Sequence, residues 1–309
     1  MGSRRIVITP FQNISLGIDQ CECFGILGPN GSGKSSLLNT TSFTFPQTLG
    51  KIYYNGKDTT ERNGNEITLG YCPQEDTLWN EFTLFEHIEM FLYLRGYTKK
   101  EAKKITNEFI NYCHLTEHKN KMPYELSGGT RRKLNILIAL CCSSSKIIMD
   151  EPSAGMDPST RRYVWDIIKA TLQNNKSSTI MSTHSMEEAE LLCNRIAIMV
   201  KGRLRCIGTP EHLKIKYGNT YILDVHTKDI NVFHEEIVIG KQLFGNSEYE
   251  REDKSLQRVK YEVKNTNSIS KVFEIMESCK EEGLFYDYSY SQTSLEQVFL
   301  NFALKGTQY

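Results

Sequence analysis

A glycine-rich run near the N-terminus has the composition and spacing of a loop that binds phosphate. It reads Gly28-Pro29-Asn30-Gly31-Ser32-Gly33-Lys34-Ser35-Ser36, and its first eight residues fit G-x-x-x-x-G-K-[ST]. An apolar strand pattern precedes it and a helix pattern follows, which is the context of a P-loop. Glycines let main-chain N–H groups turn towards phosphate oxygens, and the helix N-terminus adds partial positive charge. All nine residues are predicted to contact ATP, with Lys34 on the β- and γ-phosphates and the Ser35 hydroxyl on Mg²⁺.

A second candidate for chemistry is a pair of adjacent carboxylates, Asp150 and Glu151, at the end of the apolar run Lys146-Ile-Ile-Met149. Strands of α/β folds carry ligands at their carboxyl ends. An isolated Asp-Glu pair is typical of a solvated turn. The P-loop upstream favours a role in the nucleotide site instead. We predict that Asp150 holds Mg²⁺ and that Glu151 activates the attacking water as general base.

The run Leu126-Ser127-Gly128-Gly129-Thr130 heads a helical pattern and resembles the signature loop of ABC-type ATPases. A Ser-Gly-Gly run before a helix is suited to binding an anion. The resemblance implies that Ser127, Gly128 and Gly129 bind the nucleotide of a second cassette, so that each ATP lies between two copies.

Three further segments match the same family in the same order. Gln74, in Tyr71-Cys-Pro-Gln74, resembles the Q-loop glutamine, and Ser153-Ala-Gly-Met-Asp157 resembles the D-loop. His184, in Ser182-Thr-His184, resembles the switch histidine that contacts the γ-phosphate. The resemblance implies that Gln74 touches Mg²⁺ and links to a membrane domain. The predicted catalytic residues are therefore Glu151, His184 and Gln74, and the predicted metal ligands are Ser35, Gln74 and Asp150.

Two positions depart from the family pattern. Thr130 stands where the family usually has Gln, which predicts altered signalling rather than loss of binding. The family also stacks adenine on an aromatic residue upstream of the P-loop, and Phe11 is the aromatic that precedes Phe24. Phe11 occupies a position that is usually apolar core, so core packing is favoured over adenine stacking and the stacking residue stays unassigned.

Segments outside these motifs resemble the A subfamily of ABC transporters, a lipid-exporting type. They include the acidic and aromatic stretch 75–96, Arg131-Arg-Lys-Leu134, and the closing run 290–300. The resemblance covers essentially the whole chain and implies a transport-coupled ATPase at the cytoplasmic face of a membrane, within an integral membrane transporter. Trp79 and Phe82 are candidates for docking the transmembrane domain, or else a locally packed aromatic pair. Cassettes of drug or polysaccharide exporters remain an alternative.

Three other function classes fit the sequence less well. Soluble ABC proteins that remodel ribosomes or DNA usually carry two cassettes or long coiled arms, and neither pattern occurs here. A regulatory cassette that does not hydrolyse ATP is opposed by Glu151 and His184 and weakly favoured by Thr130 and by the missing adenine-stacking aromatic. Small GTPases are excluded because no Asn-Lys-x-Asp sequence occurs.

Composition is consistent with a protein that does not bind nucleic acid. Lys plus Arg and Asp plus Glu both number 37, so the formal net charge is zero and no basic footprint is expected. Nine cysteines without a CxxC pair indicate buried, reduced thiols. No apolar run approaches the roughly 18–20 residues of a membrane span, and the N-terminus shows no secretory leader pattern.

Alternating strand and helix patterns predict the elements that position these residues. The expected fold is α/β, a P-loop NTPase ABC cassette with a mixed sheet core and a helical subdomain at about 75–145, followed by a small α+β domain. Strands are predicted at 23–27, 146–149, 178–182 and 195–200, the last turning at Lys201-Gly202. The cassette is expected to span 1–217 and a C-terminal regulatory domain 218–309, in a βαβαβα order with a loop at 245–255.

Overall fold

The computed structural model describes residues 9–59, 67–141, 145–218, 220–264 and 269–305. The N-terminal residues examined for a leader, together with Cys142 and Asn219, lie outside these ranges. The chain forms two compact units, one of residues 1–210 with 302–309 and the other of residues 211–301. Sequence analysis predicts the change of domain near 217, a few residues further on.

A six-stranded mixed sheet forms the centre of the first unit. Its strands are β1 (Cys23–Leu27), β4 (Gly70–Cys72), β5 (Lys146–Asp150), β6 (Ser178–Thr183), β7 (Arg195–Val200) and β8 (Arg203–Gly208), and a separate hairpin contains β2 (Tyr53–Tyr54) and β3 (Lys57–Asp58). The sheet order is β4-β5-β6-β1-β7-β8, and only β8 runs antiparallel to its neighbour. All residues of β1 are buried, as expected for a parallel strand covered on both faces. The four predicted strands are confirmed, and their carboxyl ends meet at one edge.

Helices cover this sheet and fill the stretch between β4 and β5. They are α1 (Lys34–Thr41), α2 (Leu84–Leu94), α3 (Lys99–Tyr112), α4 (Gly128–Cys141), α5 (Pro158–Asn175) and α6 (Met186–Leu192), with 3₁₀ turns at Thr116–His118 and Pro123–Glu125. Helix α7 (Pro210–Tyr217) follows β8 and belongs, apart from Pro210, to the second unit. Capping boxes at Thr83 and Thr98 start α2 and α3, because each Thr side chain and the Glu three residues later satisfy each other's free N–H groups. Helices α2, α3 and α4 occupy the region where the sequence predicts a helical subdomain.

The second unit is a four-stranded antiparallel sheet with helices packed on one face. Its elements are β9 (Thr220–His226), α8 (Ile230–Phe233) continuing into a π-helical segment (His234–Gly240), β10 (Tyr249–Ser255), β11 (Arg258–Lys264), α9 (Ile269–Glu281), β12 (Asp287–Gln292) and α10 (Leu295–Lys305). The strand order is β10-β11-β9-β12. Its core includes Leu223, Val225, Tyr261 and Met276, all fully buried.

One prediction for this unit is wrong. The stretch 245–255 is not a loop throughout, because β10 pairs with β11 along almost its whole length. Most residues of β10 are exposed, and the run Glu250-Arg-Glu-Asp-Lys254 is charged, so no apolar alternation marks it as a strand. Charged residues on an exposed edge strand protect it from pairing with other chains.

The described cysteines are mostly buried, as the sequence predicts. Of the eight cysteines in the described ranges, none forms a disulfide, Cys21 is exposed and the other seven are buried. Burial raises the pKa of the Cys72 thiol to about 11 and that of Cys113 to about 12. No helix in the described part of the chain combines the length and hydropathy needed to cross a membrane.

Candidate nucleotide site

The P-loop connects β1 to α1 and leaves no room for side chains at two of its glycines. A Cβ atom at Gly28 would lie 2.4 Å from the Met199 carbonyl oxygen, and one at Gly33 would lie 2.4 Å from the Pro10 carbonyl oxygen. Gly33 also has a φ of 101°, which favours glycine. The main chain can therefore turn its N–H groups into the loop, as phosphate binding requires.

Lys34 lies inside this loop rather than in solvent. Its side chain is buried, and its Nζ donates to the carbonyl oxygens of Gly28 at 2.8 Å and Pro29 at 3.3 Å. The Ser32 hydroxyl is buried without a hydrogen-bond partner among the described residues. A cationic group and an unpaired hydroxyl held within one loop suit a phosphate chain as ligand.

Asp150 and Glu151 stand at the carboxyl end of β5, beside the end of β6. The Ser182 hydroxyl donates to Asp150 Oδ1, and the Glu151 N–H donates to the Ser182 carbonyl at 3.1 Å and hydroxyl at 3.0 Å. Glu151 has a φ of 47°, an uncommon conformation for a residue with a side chain. Ser182 thus fixes both acidic residues, a role that sequence analysis did not assign to it.

The Glu151 carboxylate joins two other predicted site residues. Its Oε1 atom lies 3.6 Å from Lys34 Nζ, and its Oε2 atom lies 3.4 Å from His184 Nδ1. The carboxylate is nearly buried, whereas the His184 side chain is 59% exposed. The structure therefore brings together the P-loop lysine, the predicted base and the predicted switch histidine, which lie far apart in sequence.

The three predicted metal ligands line one cleft of about 630 Å³. The Ser35 hydroxyl lies 3.4 Å from Gln74 Oε1, and Asp150 closes the same space. A hydroxyl, an amide oxygen and a carboxylate are hard oxygen donors of the kind that Mg²⁺ prefers. The cleft extends away from these ligands to Phe91 and Arg95 of the helical region.

The signature residues do not join this cleft. Ser127 and Gly128 are exposed, and the Ser127 hydroxyl accepts from the Thr130 N–H at 3.2 Å, capping α4. The Thr130 hydroxyl lies 2.9 Å from that of Ser127. Ser127, Gly128 and Gly129 therefore form a helix N-terminus that faces outwards rather than onto this chain's own P-loop.

The D-loop residues divide between a buried and an exposed end. Ser153 is buried, while Asp157 is exposed and caps α5 by accepting from the Thr160 N–H at 3.0 Å and the Ser159 hydroxyl at 2.6 Å. These hydrogen bonds hold the pKa of the Asp157 carboxyl far below its usual range. Pro158 follows the cap at the first helical position, where its missing N–H costs no hydrogen bond.

Aromatic residues near the site are partly core and partly exposed. Phe11 packs against the apolar core of the central sheet, in agreement with the prediction that it is a core residue. Trp79 packs on Phe82 at 5.7 Å and stacks on Phe91 at 5.5 Å between ring centroids, yet 44% of it is exposed. Trp79 is thus both a packed ring and a surface residue.

Two buried charged residues were missed by sequence analysis. Arg132 of α4 and Glu188 of α6 are 5% and 1% exposed, and both contact segments of the site. Arg132 shares the buried face of α4 with Ile136 and Ala139, at helical spacing of four and seven residues. That periodicity is the signal that places it inside the protein.

Comparison with known proteins identifies the first unit. The sequence model of the ABC transporter family matches residues 11–154. The chain contains an ABC-type ATP-binding cassette. Such a cassette binds and hydrolyses ATP, so the prediction of an ATPase is confirmed.

The cassette is also similar to curated proteins of the A subfamily across almost its whole length. It is 35% identical to the cholesterol transporter ABCA5 of Mus musculus over 306 residues, 96% of this chain and 18% of that protein. The glucosylceramide transporter ABCA12 of Mus musculus is 36% identical over 305 residues, 98% of this chain and 12% of that protein. The chain therefore spans less than a fifth of these relatives.

Solved structures confirm the fold. The dimeric bacterial ABC transporter cassette MJ0796 superposes with a TM-score of 0.62 at 25% identity, covering 68% of this chain and 93% of that one. A dimeric post-hydrolysis state of the same cassette, bound to ADP and phosphate, gives a TM-score of 0.61 at 25% identity, with the same coverage. The predicted P-loop ABC fold of the first unit is confirmed.

Proposed function

We propose that this cassette binds ATP with Mg²⁺, pairs with a second cassette, and drives the movement of a lipid-like substrate across a membrane. The observation that carries the proposal is the position of the Glu151 carboxylate between Lys34 and His184. A base, a cationic phosphate ligand and a γ-phosphate sensor are the parts that phosphoryl transfer to water needs.

Glu151 is the proposed general base. Its carboxylate is nearly buried, and its main chain is fixed by Ser182, so it can orient a water molecule in line with the terminal phosphate. Lys34 stabilises charge on the phosphate oxygens, and His184 donates to the same group from the exposed side of the site. Positioning and charge stabilisation are sufficient for this reaction, and no covalent step on the protein is needed.

Ser35, Gln74 and Asp150 are the proposed ligands of Mg²⁺, directly or through water. Bound Mg²⁺ neutralises charge on the β- and γ-phosphates. The three side chains line one cleft, and the Ser182 hydroxyl orients the Asp150 carboxylate. Loss of the Ser182 hydroxyl would therefore weaken nucleotide binding through the metal.

A second cassette is proposed to complete the site. Ser127 and Gly128 are exposed at the N-terminus of α4, where main-chain N–H groups and the helix dipole favour an anion. The cassette MJ0796, of similar fold, is dimeric in its solved forms. We expect Ser127, Gly128 and Gly129 to bind the ATP held by the P-loop of the partner.

A lipid-like substrate is supported by the relatives. Proteins named as cholesterol and glucosylceramide transporters match 96% and 98% of this chain, so the similarity extends through the second unit. These relatives do not favour the alternatives of a drug or polysaccharide exporter. The cassette is proposed to act at the cytoplasmic face of a membrane, with the second unit as a regulatory domain.

The cleft beside Gln74 is the proposed contact with the transmembrane part of the transporter. Gln74 and Phe91 both line it, and Phe91 stacks on the exposed ring of Trp79. An apolar surface beside a metal ligand would let a docked segment influence ATP hydrolysis. If Trp79→Ala with Phe82→Ala left the stimulation of ATP hydrolysis by transported lipid unchanged in the assembled transporter, docking at this surface would be rejected.

Turnover and dimerisation test the catalytic proposal. Mg²⁺-dependent ATP hydrolysis is measured for the wild-type chain and for Glu151→Gln, with light scattering to follow association. We expect slow turnover by the wild type, and an ATP-dependent dimer without turnover for the variant. Equal turnover by the two proteins would show that Glu151 is not the general base. ATP binding without turnover or dimer by either would indicate a regulatory cassette or an unlike partner.

A further inference from the structure

Arg132 donates hydrogen bonds to the main chain of three segments of the nucleotide site. Its Nε donates to the carbonyl of Pro152 at 3.0 Å, and its Nη2 donates to those of Asp150 at 2.7 Å and Glu151 at 3.0 Å. Its Nη1 donates to the carbonyls of Pro73 and Gln74, the latter at 3.0 Å. Every N–H of the guanidinium therefore has a carbonyl acceptor.

This arrangement is unusual for a buried charge, which is normally paired with a carboxylate. The nearest carboxylate in an ion pair with Arg132 is Asp76, whose Oδ1 lies 3.7 Å from Nη1. Asp76 itself accepts from the Asn135 amide at 2.9 Å and pairs with Arg131 at 3.7 Å. The guanidinium is thus held mainly by five main-chain dipoles, which belong to the Q-loop, the acidic end of β5 and Pro152, the residue before the D-loop.

We propose that Arg132 is a positioning residue that fixes Gln74 and Glu151 relative to the signature helix α4. The guanidinium is planar and its donors are in a rigid fork, so a shift of α4 would move both segments together. Because α4 begins at the signature residues, contact of those residues with a second nucleotide would reach Glu151 through one side chain. The inference rests on the proposed roles of Gln74 and Glu151.

Lysine is the informative replacement. It keeps the charge and the buried aliphatic stem, but all its N–H donors lie on one nitrogen and cannot reach five carbonyls. In Arg132→Lys we expect a cooperative thermal transition and a Kd for ATP within about threefold of wild type. We expect kcat to fall by about 10- to 100-fold with little change in KM, since the base is misplaced while the P-loop is intact. Arg131→Met is the matched control: its side chain is 42% exposed, and it contacts Asp76 but none of the five carbonyls. A kcat loss no larger than that of the control would overturn the proposal.

Hydrogen–deuterium exchange separates this inference from the catalytic proposal, because it needs no turnover. In Arg132→Lys, peptides covering 73–76 and 150–157 should exchange at least about tenfold faster, while β7 peptides and the Arg131→Met protein remain as in wild type. Unchanged exchange at both segments would reject Arg132 as a positioning residue even if the ATPase proposal holds. If the wild-type chain shows no turnover but exchange at both segments is still faster in Arg132→Lys, the positioning role is supported and the catalytic one is rejected.

Chemical rescue by a small cation distinguishes a lost guanidinium from a folding defect. In Arg132→Ala, added guanidinium at millimolar concentration should restore part of kcat, whereas urea and methylammonium at the same concentration should not. If Arg132→Lys lacks a cooperative transition, Arg132→Gln replaces it in the exchange experiment, since its amide retains donors. Equal effects of the three additives would contradict the proposal.

Discussion

The indole Nε1 of Trp165 donates to the Glu188 carboxylate at 2.8 Å, at a place where both residues are 1% exposed. Trp165 belongs to α5, which follows the D-loop, and Glu188 belongs to α6, which follows His184. Burial raises the pKa of Glu188, while hydrogen bonds with Thr183 and Ser153 lower it. The Glu188 carboxyl group therefore connects α5 and the D-loop residue Ser153 with Thr183, the residue before His184.

Glu188→Gln should remove a pH dependence of stability. Because the folded-state pKa of Glu188 lies above its ordinary value of 4.5, its contribution to stability is present below that value and is lost as pH rises through the folded pKa. We expect the free energy of unfolding by urea to fall less for Glu188→Gln than for wild type between pH 5 and 8. Glu188→Ala should be less stable than either, by about 1–3 kcal/mol. Parallel pH profiles for wild type and Glu188→Gln would contradict this.

His87 should make the protein less stable in acid. Its Nε2 accepts from the Trp79 N–H at 3.0 Å and its Nδ1 lies 2.9 Å from the Thr83 carbonyl oxygen, so the neutral ring satisfies both partners. Burial lowers its pKa from 6.5, against smaller effects of Thr83 and Glu86. Below pH 6.5 the unfolded chain binds the proton more readily, and the free energy of unfolding should fall by at most about 1.4 kcal/mol per pH unit. Urea titrations at pH 7.5 and 5.5 should show a smaller loss for His87→Gln.

Glycine replacements in the P-loop should differ by position. Gly33→Ala places a Cβ against the Pro10 carbonyl and strains the backbone, so we expect loss of ATP binding. Gly31→Ala is the control, because nothing lies within 4 Å of its Cβ and it adds only the strain of a positive φ, about 1–2 kcal/mol. Binding of a fluorescent ATP analogue, with circular dichroism to check folding, measures the difference. Equal affinities in the two variants would rule out the contact with Pro10 as the cause.

Thr130→Gln should raise the rate of ATP hydrolysis if Thr130 weakens the binding of phosphate by the signature loop. The Thr130 hydroxyl forms a hydrogen bond with the Ser127 hydroxyl, which is then less available to a phosphate. We expect kcat to rise by about 2- to 10-fold, the effect of one hydrogen bond. Steady-state ATPase assays with Thr130→Val as control test it, since Val frees Ser127 without adding an amide. No change in either variant would show that the loop tolerates Thr130.

The sequence predicts the parts of the site that lie on short continuous motifs. Strand β1 and the P-loop are marked by local composition, and the acidic end of β5 follows an uninterrupted apolar run. Both signals depend only on neighbours in the chain. The turn at Lys201-Gly202 is likewise local, and both residues have the positive φ expected of it.

Features that depend on distant partners were not predictable in this way. Strand β10 has no apolar face, and only the ladder with β11 defines it. Glu188 looks like a surface charge until the indole that donates to it is known, and the helical spacing that places Arg132 inside the protein does not reveal the carbonyls that accept from it. Helix α8 continues as a π-helical segment that ends at Gly240, a local widening that residue preferences do not encode.

The close approach of Pro10 to the P-loop has a mechanical consequence. The Gln12 N–H donates to the Gly202 carbonyl at 3.0 Å, and the Gly202 N–H donates to the Ser32 carbonyl at 2.9 Å. The segment at 10–12, the turn between β7 and β8 and the phosphate loop are therefore joined in series by main-chain hydrogen bonds, which only a proline at position 12 or 202 would remove. A pull on the polypeptide at Pro10 would therefore reach Ser32 through two main-chain hydrogen bonds.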